Sequence, residues 1–489
     1  MRRSIYTIFA AVFLTPLHIV AADQPTACEL LDKYAANRDK LTSFIAKTEA
    51  RHSAQWGNQE RPDLGRLTSE LRFDGKRIHL LHYYWEHLAA IDVIAPIRDA
   101  SYWADLWDGK HSITFGKRMS TDDRWAEIST EQRPVKHNTV VWCGGVALLG
   151  IRYSDYEPID SVLRRAASMS VRPVREQVGS VACYVVDANT TSGKYTVWFD
   201  PQHGYQIARA DIRAGPEHIF RRRPVKDNES NSLSVRNIRF EKIDGTWVPM
   251  ESDIHGTSVR QRQDSTCTST THHKITQIIL NPDHEALGSF VPVIEDGTNV
   301  RDRESSVTYT WQNGKLVDMT GQQYSLDDIS NLPKLEGKVL PPLDGFDPKP
   351  QKGQLRNKRI LVCFWDMDRC PSSVYYVLQL KEKQAVLADK NVFVLLIHVG
   401  GVKEDILQAW IKGREIPFVC GLIQGEANET LQRWCVRGLP WLVLTDSKQI
   451  VRAEGLRLRE LEDEIEQASG ATNSESSDER QATKNESSR

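Results

Sequence analysis

The chain has 489 residues, 40% of them hydrophobic, with 63 lysines and arginines against 65 aspartates and glutamates for a formal net charge of −2. That is enough for two or three domains with ordinary cores. The near balance of charge gives no reason to expect a nucleic-acid partner. No glycine-rich phosphate loop and no G-x-S-x-G elbow occurs, so the chain carries no kinase or hydrolase signature.

Met1 to Ala22 carries Arg2 and Arg3, an apolar run from Ile5 to Val20 and a small-residue end at Val20-Ala21-Ala22, the layout of a secretory signal peptide. Pro16 and His18 interrupt the run, which falls short of the ~20 apolar residues of a membrane span. Cys28 follows, but Pro25 stands where a bacterial lipoprotein signal carries an aliphatic residue. The expectation is an exported mature chain, periplasmic or extracellular, with no transmembrane segment. All eight cysteines lie in it, and spacing does not choose among their pairings. Cys420 and Cys435 flank a turn and form a candidate disulfide, whereas Cys363 reads as a small buried hydrophobe.

From Cys28 to about Arg51 the pattern suits one amphipathic helix running into a strand. After it the turns speak for β-structure: Asp74-Gly75, Asp108-Gly109 and Asp244-Gly245 each separate strand-like runs. Between them, Gly193 to Phe199 alternates before Asp200-Pro201-Gln202-His203-Gly204 and a second strand. The region to about Leu280 therefore reads as a large antiparallel meander with helices on one side. His79, His82 and His87 with Glu86, and His272-His273 with His284, lack zinc-type spacing, so no metal is expected. No cofactor is expected either. Arg221-Arg222-Arg223 reads as a charged hairpin loop.

The opening helix, the meander and the string GKYTVWFDP at Gly193 to Pro201 resemble the periplasmic lipoprotein-carrier fold, a curved antiparallel half-barrel with covering helices. The resemblance covers roughly Cys28 to Leu280, within an expected domain of residues 23 to 290, and implies an apolar or lipidated ligand. Aromatics such as Trp85, Trp103, Trp107, Trp142 and Trp198 are then candidates to line an apolar cavity, with Trp107 and Trp198 foremost. The alternative for each is plain core.

Residues 291 to 334 read as a small hairpin around Asn313-Gly314 followed by a proline- and lysine-rich connector. Beyond it, KRILVCFWDMDRCPSS at Lys358 to Ser373 reads as a strand buried on both faces, a tight turn, and a helix with Pro371 in its first turn. NVFVLLIHV at Asn391 to Val399 is a second buried strand, and Val436-Arg437-Gly438-Leu439-Pro440 leads into a third at Trp441. This order resembles an exported thioredoxin-like domain of the redoxin type, spanning residues 335 to 468. The tail, 469 to 489, has no large apolar residue and reads as disordered.

That family carries Cys-x-x-Cys. Here an ungapped reading places Arg369 and Ser372 at the two cysteine positions, and a shift by one gives Cys370-Pro371-Ser372-Ser373. The dithiol is lost in either register. Two functions follow. In the first, the chain is an exported binding or scaffold protein whose thioredoxin-like domain presents a groove formed by Pro440, Trp441 and Trp365. In the second, it is a thiol-disulfide oxidoreductase or isomerase acting on exported protein thiols through Cys370. There Ser373 would hydrogen-bond the thiolate and Arg369 would favour it electrostatically, against the opposing charges of Asp366 and Asp368.

Overall fold

The computed structural model describes residues 24–57, 59–61, 66–85, 101–118, 123–131, 158–220, 223–260, 265–305 and 307–468. The segment Met1 to Ala22, Glu86-His87, Trp142, Cys143, Arg221-Arg222 and the tail from Ser469 lie outside them. The chain forms two compact units, one of Met1–Thr68, His87–Ala90 and His137–Asn281, the other of Ser69–Glu86, Ile91–Lys136 and Pro282–Arg489. No helix among the described residues is long and apolar enough to cross a membrane.

In the first unit six strands follow one another, each antiparallel to its predecessor: Val181–Thr190, Gly193–Asp200, Gln206–Ala214, Ser230–Ile243, Thr246–Arg260 and Ser265–Leu280. Phe44–Trp56 then pairs with Ser265–Leu280. Among the described residues no pairing closes this order into a barrel. The turns form where the sequence allows left-handed backbone. Asp244 (φ 47°) and Gly245 (φ 82°) join Ile243 to its partner Thr246, the two-residue turn whose twist matches the strands. At the Asp-Pro turn, the Asp200 carboxylate accepts from the backbone N–H groups of Gln202 and His203 at 2.8 and 3.2 Å. The helix Ala27–Arg38 begins with a capping box between Thr26 and Glu29. Its Leu30, Leu31 and Tyr34 join Ile159, Val162 and Leu163 of a short second helix, Ile159–Leu163, in one core with Val197, Phe199, Ile207 and Ile212 of the sheet.

Strand alternation puts Trp198 on the opposite face from this helix-covered core, with Val181, Cys183, Val185 and Ala208. Its ring lies under the Arg209 guanidinium at 4.3 Å, and its indole N–H donates to Glu176 at 2.9 Å. Trp107 belongs to the second unit. The pair expected to line one cavity is thus a buried ring of one unit and a half-buried ring of the other.

In the second unit, Ile78–Trp85, Ser101–Trp107, Ser112–Arg118 and Asp123–Ser129 form an antiparallel meander. Asn299–Asp302 extends it in parallel, followed by the hairpin of Thr308–Gln312 and Lys315–Val317 around Asn313 and Gly314. A separate six-stranded sheet runs Phe346–Asp347, Val419–Ile423, Val392–His398, Arg359–Trp365, Trp441–Thr445 and Val451–Glu454. Its central three strands are buried on both faces, as continuous apolar runs require.

Side chains from both sheets share a core. Ala104, Leu106, Phe115 and Ile128 of the meander cluster with Ile360, Val362 and Phe364. Leu361, Cys363 and Trp365 point the other way, toward Val377 and Leu380 of the helix Pro371–Glu382, Leu407 of the helix Glu404–Gly413, and Leu461 and Ile465 of the last helix, 461–468. This two-sidedness excludes the candidate Cys420–Cys435 pairing. Cys420 packs in the helix-side core and Cys435 against the core shared with the meander, and both thiols are free.

Candidate thiol site

The site stands where the Arg359–Trp365 strand emerges from the six-stranded sheet. Asp366, fully buried, turns its carboxylate forward: Oδ1 accepts the backbone N–H groups of Asp368 at 2.8 Å and Arg369 at 2.9 Å. An aspartate that captures the amides two and three residues on makes a tight turn by itself. The next residue, Cys370 (φ −135°, ψ 81°), stands at the N-cap position of the helix Pro371–Glu382 without a side-chain capping bond, with proline in the first turn, where a missing N–H costs nothing.

The Cys370 thiol is partly exposed. Its Sγ lies 3.1 Å from Ser372 Oγ and 3.3 Å from the carbonyl oxygen of Leu439, whose bond to Pro440 is cis. The loop before the Trp441–Thr445 strand therefore meets the helix start through this sulfur. Both partners suit a thiol, which donates to Leu439 O while lying against the hydroxyl. A thiolate would keep only the Ser372 contact, with the hydroxyl as donor. The helix N-terminus adds a favourable field for negative charge.

Other cysteines contrast with it. Burial pushes the Cys363 thiol far up, Cys420 and Cys183 up to about 12, and Cys435 and Cys267 in the same direction. Burial opposes the charged thiolate, so these sulfurs are suited to packing rather than attack.

Several residues expected at the site stand elsewhere. The hydroxyl that meets the thiol belongs to Ser372, while Ser373, at the third helical position, is fully buried and its Oγ has no hydrogen-bond partner. Trp365 and Trp441 line no exposed groove, since they are 0% and 3% exposed. Trp365 packs at 5.1 Å against Trp410 and edge-on at 4.9 Å to His398, and Trp441 sits in the core shared with the meander. Pro440 remains half-buried beside the sulfur, and Arg369 is exposed.

Sequence reasoning gave no part to His398, at the end of the Val392–His398 strand. This 1% exposed imidazole accepts the Met367 backbone N–H at Nε2 (3.2 Å) and faces the Gly400 carbonyl at Nδ1 (3.3 Å). That pairing requires Nδ1 to carry the proton. Burial holds its pKa below the usual histidine value, against a smaller upward pull from Asp366. Among the described residues no group of three or more metal-ligating side chains occurs.

No family model matches the chain, and no curated protein matches it. Among solved structures it is similar to a thiol-disulfide isomerase from Corynebacterium glutamicum, at 20% identity over 29% of this chain and 97% of that one, with a TM-score of 0.22. It is also similar to the thioredoxin domain of a thiol-disulfide oxidoreductase from Bacteroides vulgatus, at 19% over 31% and 90%, TM-score 0.21. A third is a thiol-disulfide oxidoreductase from Bacteroides fragilis, at 14% over 31% and 94%, TM-score 0.22.

Proposed function

We propose that the chain is an exported thiol-exchange protein in which Cys370 acts alone, as an isomerase or oxidoreductase of other exported proteins' disulfides. The observation that carries this reading is the placement of the Cys370 sulfur. It is accessible, at a helix start, between the Ser372 hydroxyl and the loop at Pro440. Cys363 and Cys420 of the same sheet are buried.

The Cys370 thiolate, its proton released to water, attacks one sulfur of a substrate disulfide. A Cys370–substrate disulfide forms, and the second substrate sulfur leaves as thiolate. With no second cysteine in the Cys370-Pro371-Ser372-Ser373 string, release falls to an incoming thiol, from the substrate itself or from a small-molecule thiol. Its thiolate attacks the substrate sulfur and returns Cys370 as thiolate. Resolution by the substrate's own thiol reshuffles its disulfides with no net oxidation. Resolution by an external thiol leaves one substrate sulfur as thiolate and the other in a mixed disulfide with that thiol, and a second external thiol, attacking the external sulfur, completes the reduction as the external disulfide leaves.

The test uses the full chain, a scrambled disulfide-bonded protein and glutathione. A substrate adduct on Cys370, found by peptide mass spectrometry, should form and decay while the scrambled protein regains its native disulfides. Cys370→Ser should abolish both. Absence of any adduct at Cys370, with the exposed Cys28 still labelling, would sink the proposal.

The carrier reading of the first unit has weaker support. Its open antiparallel sheet with helices on one face suits a half-barrel, but Leu30, Leu31, Tyr34 and Phe199 fill that face as core. An acyl ligand copurifying with the full chain would favour it.

A further inference from the structure

Three consecutive backbone amides precede Cys370, and a buried side chain holds each of them. His398 takes the N–H of Met367, and Asp366 takes those of Asp368 and Arg369. The two side chains stand at the ends of neighbouring parallel strands: His398 is the last residue of one, and Asp366 directly follows Trp365, the last of the other and the partner of His398 in register. They also touch a common neighbour. A Cβ built on Gly400 would fall 2.7 Å from Asp366 Oδ2 and 2.9 Å from His398 Cε1.

This arrangement is costly to keep. Asp366 is 0% exposed, and its Oδ2 has no hydrogen-bond partner. A buried carboxylate with one oxygen unserved costs stability, and its presence calls for a reason. An asparagine or serine would make a similar turn without burying a charge. The charges that act on His398 among the described residues are those of Asp366 and Asp368, both from the turn.

We propose that Asp366 and His398 are positioning residues for the Cys370 thiol: together they fasten the turn from 367 to 369 from beneath and so fix the sulfur at the helix start beside Leu439 and Pro440. The inference rests on reading Cys370 as the reacting group. Neither side chain touches a substrate, and each acts only through the backbone it holds. Neutral His398 fits with both nitrogens used. A proton on Nε2 would set two N–H groups against each other and release Met367.

The test compares iodoacetamide labelling of Cys370 with that of exposed Cys28 in the full chain, peptide by peptide, from pH 6 to 10. Losing a turn-holding hydrogen bond should shift the Cys370-to-Cys28 rate ratio about fivefold or more in Asp366→Ala and His398→Phe. Asp366→Asn, which retains an acceptor oxygen, should bring the ratio back to within about twofold of the parent. Folded alanine and phenylalanine variants with an unchanged ratio and pH midpoint would overturn the proposal. If those variants do not fold, hydrogen exchange on the parent and on Asp366→Asn decides: slow exchange at Met367, Asp368 and Arg369 supports it, and free exchange overturns it. Labelling is readable whether or not Cys370 forms substrate adducts, so failure here and failure of the thiol-exchange reading are told apart.

Discussion

Replacing Gly400 by alanine is a sharp test of the packing beneath the thiol turn. The new methyl carbon would lie 2.7 Å from Asp366 Oδ2 and 2.9 Å from His398 Cε1, both closer than real contacts allow, and 3.1 Å from Asp366 Cγ, tighter than most. A carboxylate oxygen is often free to swing away, but this one is not. Asp366 is fully buried, and its other oxygen is fixed by two amides. The side chain must move by several tenths of an ångström and stretch those bonds, or the Gly400 loop must lift. Overpacking of this kind costs about 1–3 kcal/mol.

Gly401 is the control, since a methyl there meets nothing within 4 Å. Gly401→Ala should be neutral or stabilise by up to about 1 kcal/mol through the unfolded chain. Guanidinium unfolding followed by tryptophan fluorescence measures both in the full chain. Equal stability of the two variants within about 0.5 kcal/mol would refute the account of a pinned carboxylate.

Further predictions follow from the cores. His273 in the first unit is 2% exposed, has no hydrogen-bond partner at either ring nitrogen, and is held by burial at a pKa of about 4. Its unfolded value lies near 6.5, so its contribution is full above pH 6.5 and is lost as pH falls toward 4. The loss is on the order of 2–3 kcal/mol. His273→Leu should flatten the difference between urea midpoints at pH 7.5 and 4.5, and an unchanged difference would count against it. Phe364→Ala should destabilise by about 3–5 kcal/mol, because its ring packs at 6.0 Å from Phe346 and 5.3 Å from Trp434. Equilibrium unfolding reads this directly. Cys183, Cys363 and Cys420 should resist alkylation at pH 8 until denaturant is added, as timed mass spectrometry would show.

Much of the local structure was written in short strings. Asp-Gly and Asn-Gly pairs announced turns because few residues accept positive φ, and the strand, turn and helix around Cys370 followed from an apolar run and a proline. What alternation does not disclose is which partner covers a strand buried on both faces. Trp365 and Trp441 therefore read from sequence as groove residues, although both are core. Helical geometry separates Ser372 from Ser373: the second position of the helix reaches the thiol and the third turns inward. The role of Asp366 has a signal in the sequence, an aspartate two and three residues ahead of the amides it captures. His398 carried none, because its partner is a backbone amide 31 residues away.

The interleaving of the two units bears on how the protein is made. The chain leaves the first unit after Thr68, returns to it lastingly at His137, and leaves again after Asn281. During synthesis the strands from Ile78 to Ser129 must wait, unpaired with their own core, until the segments beyond Pro282 emerge. Contacts so distant in sequence form slowly, and waiting strands expose edges that invite association. Truncation before Pro282 would strip the meander of the sheet it packs on and leave a sticky intermediate.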